Sequence, residues 1–224
     1  MQKEIISKLK PYKSSNNTFL FSFEGIEGSG KTTQIKLLKM FLEEKGFEVE
    51  CLREPGGTSF GEKLRDTILS SNSKIAPLSE AYLFASSRNQ LLEEKILPYL
   101  SSPNRVVILD RYIDSSIAYQ GYARELGIQS ILDIHSQNSL RIVPQITLYL
   151  NIDLETSLKR QNERGNKKDY FEKEENEFHQ KLINGFDDCA KFFPSRIKKI
   201  DASQEVTSVF DQIKSAISAV LWIT

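Results

Sequence analysis

Residues 19–33 read F-L-F-S-F-E-G-I-E-G-S-G-K-T-T and join an apolar run directly to a glycine-rich loop. The loop fits the spacing G-x-x-x-x-G-K-[ST] at Gly25, Gly30, Lys31 and Thr32. Apolar residues at helical spacing follow it and stop at a glycine: Ile35, Leu38, Leu42 and Gly46. The pattern therefore predicts a strand, a tight loop and a helix in immediate succession, which is the start of a βαβ unit.

Such a loop predicts a phosphate site for physical reasons. Glycines permit backbone angles that turn consecutive N–H groups into one cavity, and the N-terminus of the following helix adds positive potential there. Lys31 would reach the outer phosphates, and the Thr32 hydroxyl would complete a Mg²⁺ shell. We therefore expect nucleoside triphosphate to bind at Gly25, Ile26, Glu27, Gly28, Ser29, Gly30, Lys31, Thr32 and Thr33, rather than an unoccupied glycine turn.

The composition excludes several classes of protein. The chain has 224 residues, and its 30 Lys+Arg balance 30 Asp+Glu, so the charge predicts no nucleic-acid partner. Cys51 and Cys189 are too few for a disulfide framework, and His135 and His179 have no metal-ligand spacing. No apolar run approaches the length of a membrane span, and residues 1–18 lack the apolar region of a secretory signal. We expect a cytoplasmic protein with a flexible N-terminal extension over residues 1–18.

Strand and helix signals alternate along residues 19–224, which predicts a single α/β domain. Strands are predicted at 20–24, 48–52, 105–109, 146–152 and 197–200. Helices are predicted at 33–45, 59–71, 79–100, 114–126, 130–140, 154–164, 174–192 and 205–221. The expected fold is that of the P-loop NTPases, a five-stranded parallel sheet with helices on both faces. Residues 160–177 are almost wholly polar, which is typical of a mobile lid or of a solvated helix–loop–helix; we favour the lid.

A second chemical landmark is the run V-V-I-L-D-R-Y at 106–112. A buried strand that ends in Asp110 would bring this acid to the sheet edge where ligands collect, and there it can hold Mg²⁺. Arg111 adjoins it with a guanidinium suited to phosphate oxygens. A structural Asp–Arg pair is the alternative, and the phosphate loop favours the functional interpretation.

Four short motifs occur in a specific order: R-E-P-G-G-T at 53–58, F-A-S-S-R at 84–88, D-R-Y at 110–112 and A-Y-Q-G at 118–121. Together with the phosphate loop they make the chain, from residue 19 to the C-terminus, resemble the thymidylate kinase family. The resemblance implies Mg²⁺-dependent transfer of the γ-phosphoryl group of ATP to thymidine monophosphate (dTMP), giving ADP and the diphosphate (dTDP). It also implies a homodimer.

The resemblance further implies a role for each matching residue. Glu27 would approach the sugar of the acceptor, and Arg53 and Arg111 would hold its phosphate. Phe84 would stack on the pyrimidine, and Arg88 would donate to its carbonyl edge. Tyr119 would exclude a 2′-hydroxyl and Gln120 would border the base, with Pro55 and Ser115 completing the acceptor site. Without the resemblance, Phe84 and Tyr119 read as core positions and Arg88 as a surface residue.

The chain departs from its apparent family in the lid. Such kinases need an arginine near the transferred phosphoryl group, yet the loop reads E-G-S and the lid motif D-R-x-E reads D-Y-F-E at 169–172. Arg160, Arg164, Lys167 and Lys168 are candidate cations, and we predict Arg164, at the end of helix 154–164. The predicted catalytic set is Lys31, Asp110, Arg111 and Arg164, with Thr32 and Asp110 as metal ligands.

Two other interpretations remain open. A nucleotide-dependent switch would need the phosphate loop but not the acceptor motifs, and a kinase for another monophosphate, such as uridine or cytidine monophosphate, would differ in the base contacts. The run N-K-K-D at 166–169 fits the N-K-x-D guanine motif of GTPases but follows a polar helix instead of ending a hydrophobic strand, so we attribute it to chance.

Overall fold

The computed structural model describes residues 8–13, 16–71, 73–164, 170–171 and 173–221, without the side chains of Arg164 and Ala219. Within these ranges, one sheet consists of five parallel strands: β2 Phe19–Glu24, β3 Glu48–Arg53, β4 Arg105–Asp110, β6 Ile146–Asn151 and β7 Ile197–Asp201. Their order across the sheet is β3-β4-β2-β6-β7. The predicted five-stranded parallel sheet is therefore confirmed, and its strand bounds differ from the prediction by one residue at most.

Helices connect the strands as βαβ crossovers require. They are α1 (Lys31–Glu44), α2 (Ser59–Leu69), α3 (Pro77–Leu91), α4 (Ile113–Ser116), α5 (Ile128–Ile134), α6 (Leu154–Arg164), α7 (Asn176–Phe192) and α8 (Val206–Leu221). A π-helical segment, Leu92–Ile96, and the turn Leu97–Tyr99 prolong α3, and the π-helical segment Ile117–Ala123 prolongs α4. None of the helices described is long and apolar enough to cross a bilayer.

The central strand β2 explains why helices cover both faces of the sheet. All six of its residues are buried, including consecutive ones that point to opposite faces. On β4, the residues from Val106 to Leu109 are likewise fully buried. Parallel strands buried in this way read as continuous apolar runs, which is why the sequence located them well. Their carboxyl ends share one edge of the sheet, and Glu24 and Asp110 end their strands there.

One predicted helix is wrong in its extent. The apolar pattern predicted a helix over 130–140, but α5 ends at Ile134 and a 3₁₀ turn, Asn138–Arg141, follows separately. The interruption lies where Gln137 is extended and Asn138 has a positive φ of 41°. An α-helix cannot pass through either conformation, and periodicity alone does not signal the break.

Residues 9–12 of the N-terminal extension are packed against the domain, and the expected flexibility of the extension stays a prediction. Strand β1 (Lys10–Pro11) pairs in parallel with β5 (Ile142–Val143), and the Tyr12 amide donates to the carbonyl of Val143 at 2.8 Å. Leu9 is buried in the core. The boundary drawn at residue 18 stays a prediction.

Candidate active site

The phosphate-binding loop connects β2 to α1, and its geometry explains its glycines. Gly25 has a φ of 135°, and a Cβ atom there would lie 2.5 Å from the carbonyl oxygen of Leu150. Gly30 precedes α1 with a φ of 90°. Lys31 is buried, and its ammonium donates to the carbonyls of Gly25 (3.1 Å) and Ile26 (3.2 Å). Burial and the charge of the neighbouring Arg111 lower the pKa of Lys31, so the site favours an anion beside it.

Two side chains of α6 fasten the loop from the other side. Ser157 donates to the carbonyl of Glu27 at 2.6 Å, and Arg160 donates to the carbonyls of Gly28 (3.2 Å) and Ala202 (3.0 Å). The sequence did not assign Ser157 a role, and it considered Arg160 only as a lid cation. On a polar helix these residues carry no local signal, because their partners lie more than a hundred residues earlier in the chain or some forty later.

Asp110 and Arg111 lie at the end of β4, next to the loop as predicted. Arg111 has a positive φ of 71°, and its guanidinium donates to the carbonyl of Gly25 at 3.0 Å and to Glu27 Oε1 at 2.5 Å. Asp110 Oδ1 is buried and has no hydrogen-bond partner among the residues described. A buried carboxylate oxygen of this kind needs a cation or a donor from outside the chain.

Glu24 supports the turn that carries Arg111. Its carboxylate accepts from the Tyr112 amide at 2.7 Å and from the Ser115 hydroxyl at 2.6 Å. Burial, reinforced by the charge of Asp114, raises the pKa of Glu24 to about 8. Ser115, predicted to bind the acceptor, also accepts from Arg111 at 3.3 Å. These contacts favour a role in positioning Arg111, and a direct contact of Ser115 with substrate stays a prediction.

A cavity of about 220 Å³, which we call the cationic cavity, lies between the loop and the end of β4. Four cationic side chains line it, together with Glu27, Glu54 and Asp110: Lys31, Arg53, Arg65 and Arg111. Arg53 is half exposed and pairs with Glu62 at 2.9 Å, and Arg65 donates to the carbonyl of Pro55 at 3.1 Å. Arg65 was missed from the sequence, where it is one charge on an amphipathic helix. This concentration of positive charge suits phosphate groups.

A smaller cavity of about 80 Å³, which we call the aromatic cavity, adjoins the first and shares Glu27, Glu54, Arg65 and Arg111 with it. Aromatic and apolar residues form much of its wall: Pro55, Leu69, Phe84, Tyr119 and Phe171. Gln120 and His179 also line it. The structure therefore brings together four residues predicted to bind the acceptor, Pro55, Phe84, Tyr119 and Gln120, and their contacts with substrate stay predictions. His179, which the sequence suggested was an ordinary helix residue, also lies at this cavity.

Phe171 forms part of the wall of the aromatic cavity. Its ring centre lies 5.2 Å from that of Tyr119, in an edge-to-face contact, and 6.1 Å from that of Phe84. The same segment places the Tyr170 hydroxyl 3.4 Å from the amide of Ile75. Residues 165–169 and 172 lie outside the described residues, and so does the Arg164 side chain. The predicted lid, its cations and the N-K-K-D run therefore remain untested there.

Arg88 does not line either cavity among the residues described. It is buried and donates from Nε to Glu54 at 2.7 Å and from Nη1 to Ser116 at 3.0 Å. Nη1 also lies 2.6 Å from His135 Nε2, which must accept because a guanidinium only donates. Glu54 Oε2 further pairs with Arg88 Nη2 at 2.5 Å. These bonds use most of its five donors, so the expected contact of Arg88 with a pyrimidine carbonyl stays a prediction.

A third cavity, of about 390 Å³, opens on the other side of the loop. Arg160 and Glu163 of α6 and the loop residues Gly28, Ser29 and Gly30 line it. The rest of its wall comes from Thr33, Gln34, Ala202, Ser203, Gln204, Glu205, Val206 and Val209. The sequence assigned no ligand contact to residues 202–209, because they carry no motif.

The site fits Mg²⁺ through two oxygen ligands. Asp110, whose Oδ1 has no hydrogen-bond partner among the described residues, and the exposed Thr32 in the first turn of α1 both line the cationic cavity. Oxygen is the ligand atom that Mg²⁺ prefers. Among the described residues no group of three or more His, Cys, Asp or Glu could hold a metal alone. A Mg²⁺ ion here would therefore depend on substrate phosphates and water for its remaining ligands.

The loop, the acid at the end of β4 and the cavities on both sides of the loop are typical of a P-loop phosphotransferase. The family model described as thymidylate kinase matches residues 23–213. The thymidylate kinase of Thermoanaerobacter sp. strain X514 is 46% identical over 192 residues, which cover 86% of this chain and 93% of that protein. The thymidylate kinase of Clostridium novyi strain NT is 40% identical over 201 residues, covering 89% and 98%.

A solved structure shows the same similarity. The crystal structure of thymidylate kinase from Ehrlichia chaffeensis superposes with a TM-score of 0.69 at 32% identity, covering 88% of this chain and 98% of that one. The chain belongs to the thymidylate kinase family. The family resemblance, the fold and the expected activity, phosphorylation of dTMP to dTDP with ATP, are thereby confirmed.

Proposed function

We propose that the chain catalyses this reaction with the acceptor in the two adjoining cavities and the donor at the loop and the third cavity. The observation that carries the proposal is the position of Lys31 and Arg111, whose charged groups both contact the carbonyl of Gly25. A phosphate bound at the loop and a phosphate bound by Arg111 would therefore be neighbours. Positioning two phosphates in line supplies most of the acceleration in such reactions.

The acceptor base would occupy the aromatic cavity. Phe84 offers a flat face for stacking, and Tyr119, which lines the same cavity, would exclude a 2′-hydroxyl. The acceptor phosphate would lie in the cationic cavity against Arg53, Arg65 and Arg111. Glu27 and Arg111 line both cavities, so the two cavities adjoin each other. This supports a single nucleotide that spans both.

The donor would bind on the opposite side. The backbone of the loop and Lys31 would hold the β- and γ-phosphates, and the nucleoside would lie between α6 and residues 202–206. Arg160 supports this assignment because it joins the loop to the carbonyl of Ala202 across that cavity.

In the reaction, an oxygen of the acceptor phosphate would form a bond to the γ-phosphorus of ATP while the bond from that phosphorus to the β–γ bridging oxygen breaks. The acceptor phosphate is already ionised, so no side chain has to remove a proton. Lys31 and Arg111 would neutralise the charge that develops on the transferred group. Mg²⁺, when held at Thr32 and Asp110, supplies further positive charge to the phosphate oxygens.

Release of ADP tests the proposal directly. With ATP and Mg²⁺ present, we expect ADP release only when dTMP is added, and loss of release when EDTA removes the metal. ADP release without any acceptor would instead favour the nucleotide-dependent switch. Faster release with uridine or cytidine monophosphate would favour a kinase for another base.

The homodimer and the cytoplasmic location also remain proposals. Exposed apolar side chains on the packed helices α2 and α3 (Phe60, Leu78 and Tyr82) support a dimer, which sedimentation equilibrium can test. Two cysteines, too few for a disulfide framework, are consistent with a reducing compartment, and cell fractionation can test the location.

A further inference from the structure

A buried polar pair lies beside the aromatic cavity, outside the phosphate machinery. Glu80 on α3 is fully buried, and Gln120 in the π-helical segment is 1% exposed. Gln120 Nε2 donates to Glu80 Oε1 at 2.8 Å. In this hydrogen bond the amide turns its NH₂ group toward Glu80 and its oxygen away. That oxygen, Gln120 Oε1, is buried and has no hydrogen-bond partner among the residues described.

Arg124 provides a positive counter-charge beside Glu80. Its side chain is 8% exposed, and its Nε lies 3.4 Å from Glu80 Oε2. Burial raises the pKa of Glu80 above its usual value, and the contacts with Gln120 and Arg124 oppose that shift. The guanidinium therefore favours the carboxylate, which only accepts, over a protonated carboxyl, which donates as well. A protonated carboxyl would allow the amide of Gln120 either orientation.

Arg124 also contacts residues within 171–178, which include the cavity residue Phe171. Its Nη1 pairs with Glu174 at 2.7 Å, and its Cζ lies 4.8 Å from the ring centre of Phe178 and 5.8 Å from that of Phe171. Phe171 lines the same cavity as Gln120. One guanidinium therefore contacts both the carboxylate that orients Gln120 and an aromatic side chain over the cavity.

We propose that Glu80 and Arg124 are positioning residues that hold Gln120 with its carbonyl oxygen as an acceptor for the ring N3–H of the pyrimidine. Thymine and uracil carry a hydrogen on N3, whereas N3 of cytosine is an acceptor. A fixed acceptor at Gln120 therefore selects the first two bases and repels the third. The proposal rests on the proposed function, because it requires the acceptor base to occupy the aromatic cavity.

The test is the ratio of kcat/KM for dTMP to kcat/KM for deoxycytidine monophosphate in Glu80→Gln. A neutral amide at residue 80 accepts as well as donates, so it no longer fixes Gln120. We expect the ratio to fall by roughly ten- to a hundredfold, the effect of one misplaced buried hydrogen bond, with KM for ATP unchanged. The matched control is Glu94→Gln, which alters an exposed Gln90–Glu94 hydrogen bond of 2.9 Å and should leave the ratio unchanged.

A double-mutant comparison separates positioning from a general structural role. In a Gln120→Ala background, Glu80→Gln should have no further effect on the ratio, because it acts through Gln120. Arg124→Gln should lower the ratio in wild type and not in that background. An unchanged ratio in a folded Glu80→Gln variant overturns the proposal, as does an equal loss for both acceptors. If the wild-type enzyme does not phosphorylate dTMP at all, it is the proposed function that fails.

Discussion

Arg111 donates a 2.5 Å hydrogen bond to the carboxylate of Glu27 while its other terminal nitrogen donates to the carbonyl of Gly25. The planar guanidinium thus reaches the phosphate-binding loop at two points and lines both of the adjoining cavities. Arg111 directly follows β4, and its positive φ turns the backbone away from the extended conformation of that strand. This geometry depends on a fork of donors that a lysine lacks.

Arg111→Lys should therefore impair the enzyme although it conserves the charge. We expect kcat/KM for dTMP to fall roughly a hundredfold, because the substituted ammonium cannot hold the loop and a phosphate together. Steady-state kinetics at saturating ATP measure the effect. Arg105→Lys is the matched control: Arg105 begins the same strand and pairs with Glu48 at 2.9 Å, far from the loop. Near-normal kinetics in folded Arg111→Lys would remove Arg111 from the acceptor site.

Lys31→Ala should leave a folded protein with turnover reduced by roughly a hundredfold or more, because it removes a charge aimed at the transferred phosphoryl group. The variant loses only the hydrogen bonds from Lys31 to the carbonyls of Gly25 and Ile26 in the loop, and no helix or strand depends on them. We therefore expect little change in circular dichroism. Lys45→Ala, at the exposed end of α1, serves as the control. A folded Lys31→Ala enzyme with ordinary turnover would contradict the role given to this residue.

His135 should make stability depend on pH. Burial and the charge of Arg88 lower the pKa of His135 to about 3, against about 6.5 when unfolded. Because the folded pKa is the lower one, the stabilising effect is complete above pH 6.5 and is lost as pH falls toward 3. Between pH 7 and pH 5 the free energy of unfolding should decrease by roughly 2 kcal/mol from this group.

Urea denaturation at the two pH values measures that decrease. His135→Gln retains an acceptor for Arg88 but does not titrate, so its stability should change by correspondingly less over the same interval. Equal pH dependence in the two proteins would mean that His135 is not held in its neutral form by the Arg88 contact.

Arg164→Ala should lower kcat far more than it weakens ATP binding, if the contact forms mainly in the transition state. Arg164 ends α6, one helical turn after Arg160, which reaches the loop. Turnover of Arg164→Ala, Lys167→Ala and Lys168→Ala separates the candidates. Loss of turnover in a lysine variant alone would assign the role to that lysine.

The sequence located the parts of the site that depend on local pattern. The loop required Gly25 because its backbone approaches Leu150, and glycine spacing is visible without a structure. Asp110 was found because a buried parallel strand is an apolar run with a definite end. Phe171, Arg124 and Ser157 were not assigned roles, because each acts through partners distant in the chain. Arg88 shows the converse: a motif predicted a ligand contact, whereas most of its donors bond to Glu54, Ser116 and His135.

The division of the loop into an acceptor side and a donor side is tested most directly by the two KM values of Phe84→Ala. Phe84 lines the aromatic cavity and does not line the cavity assigned to the donor. Loss of stacking should raise KM for dTMP by roughly ten- to a hundredfold, while KM for ATP stays within about twofold of wild type. Met40→Ala, which changes an exposed apolar side chain on α1, should change neither value. A rise in KM for ATP with KM for dTMP unchanged would contradict the assignment.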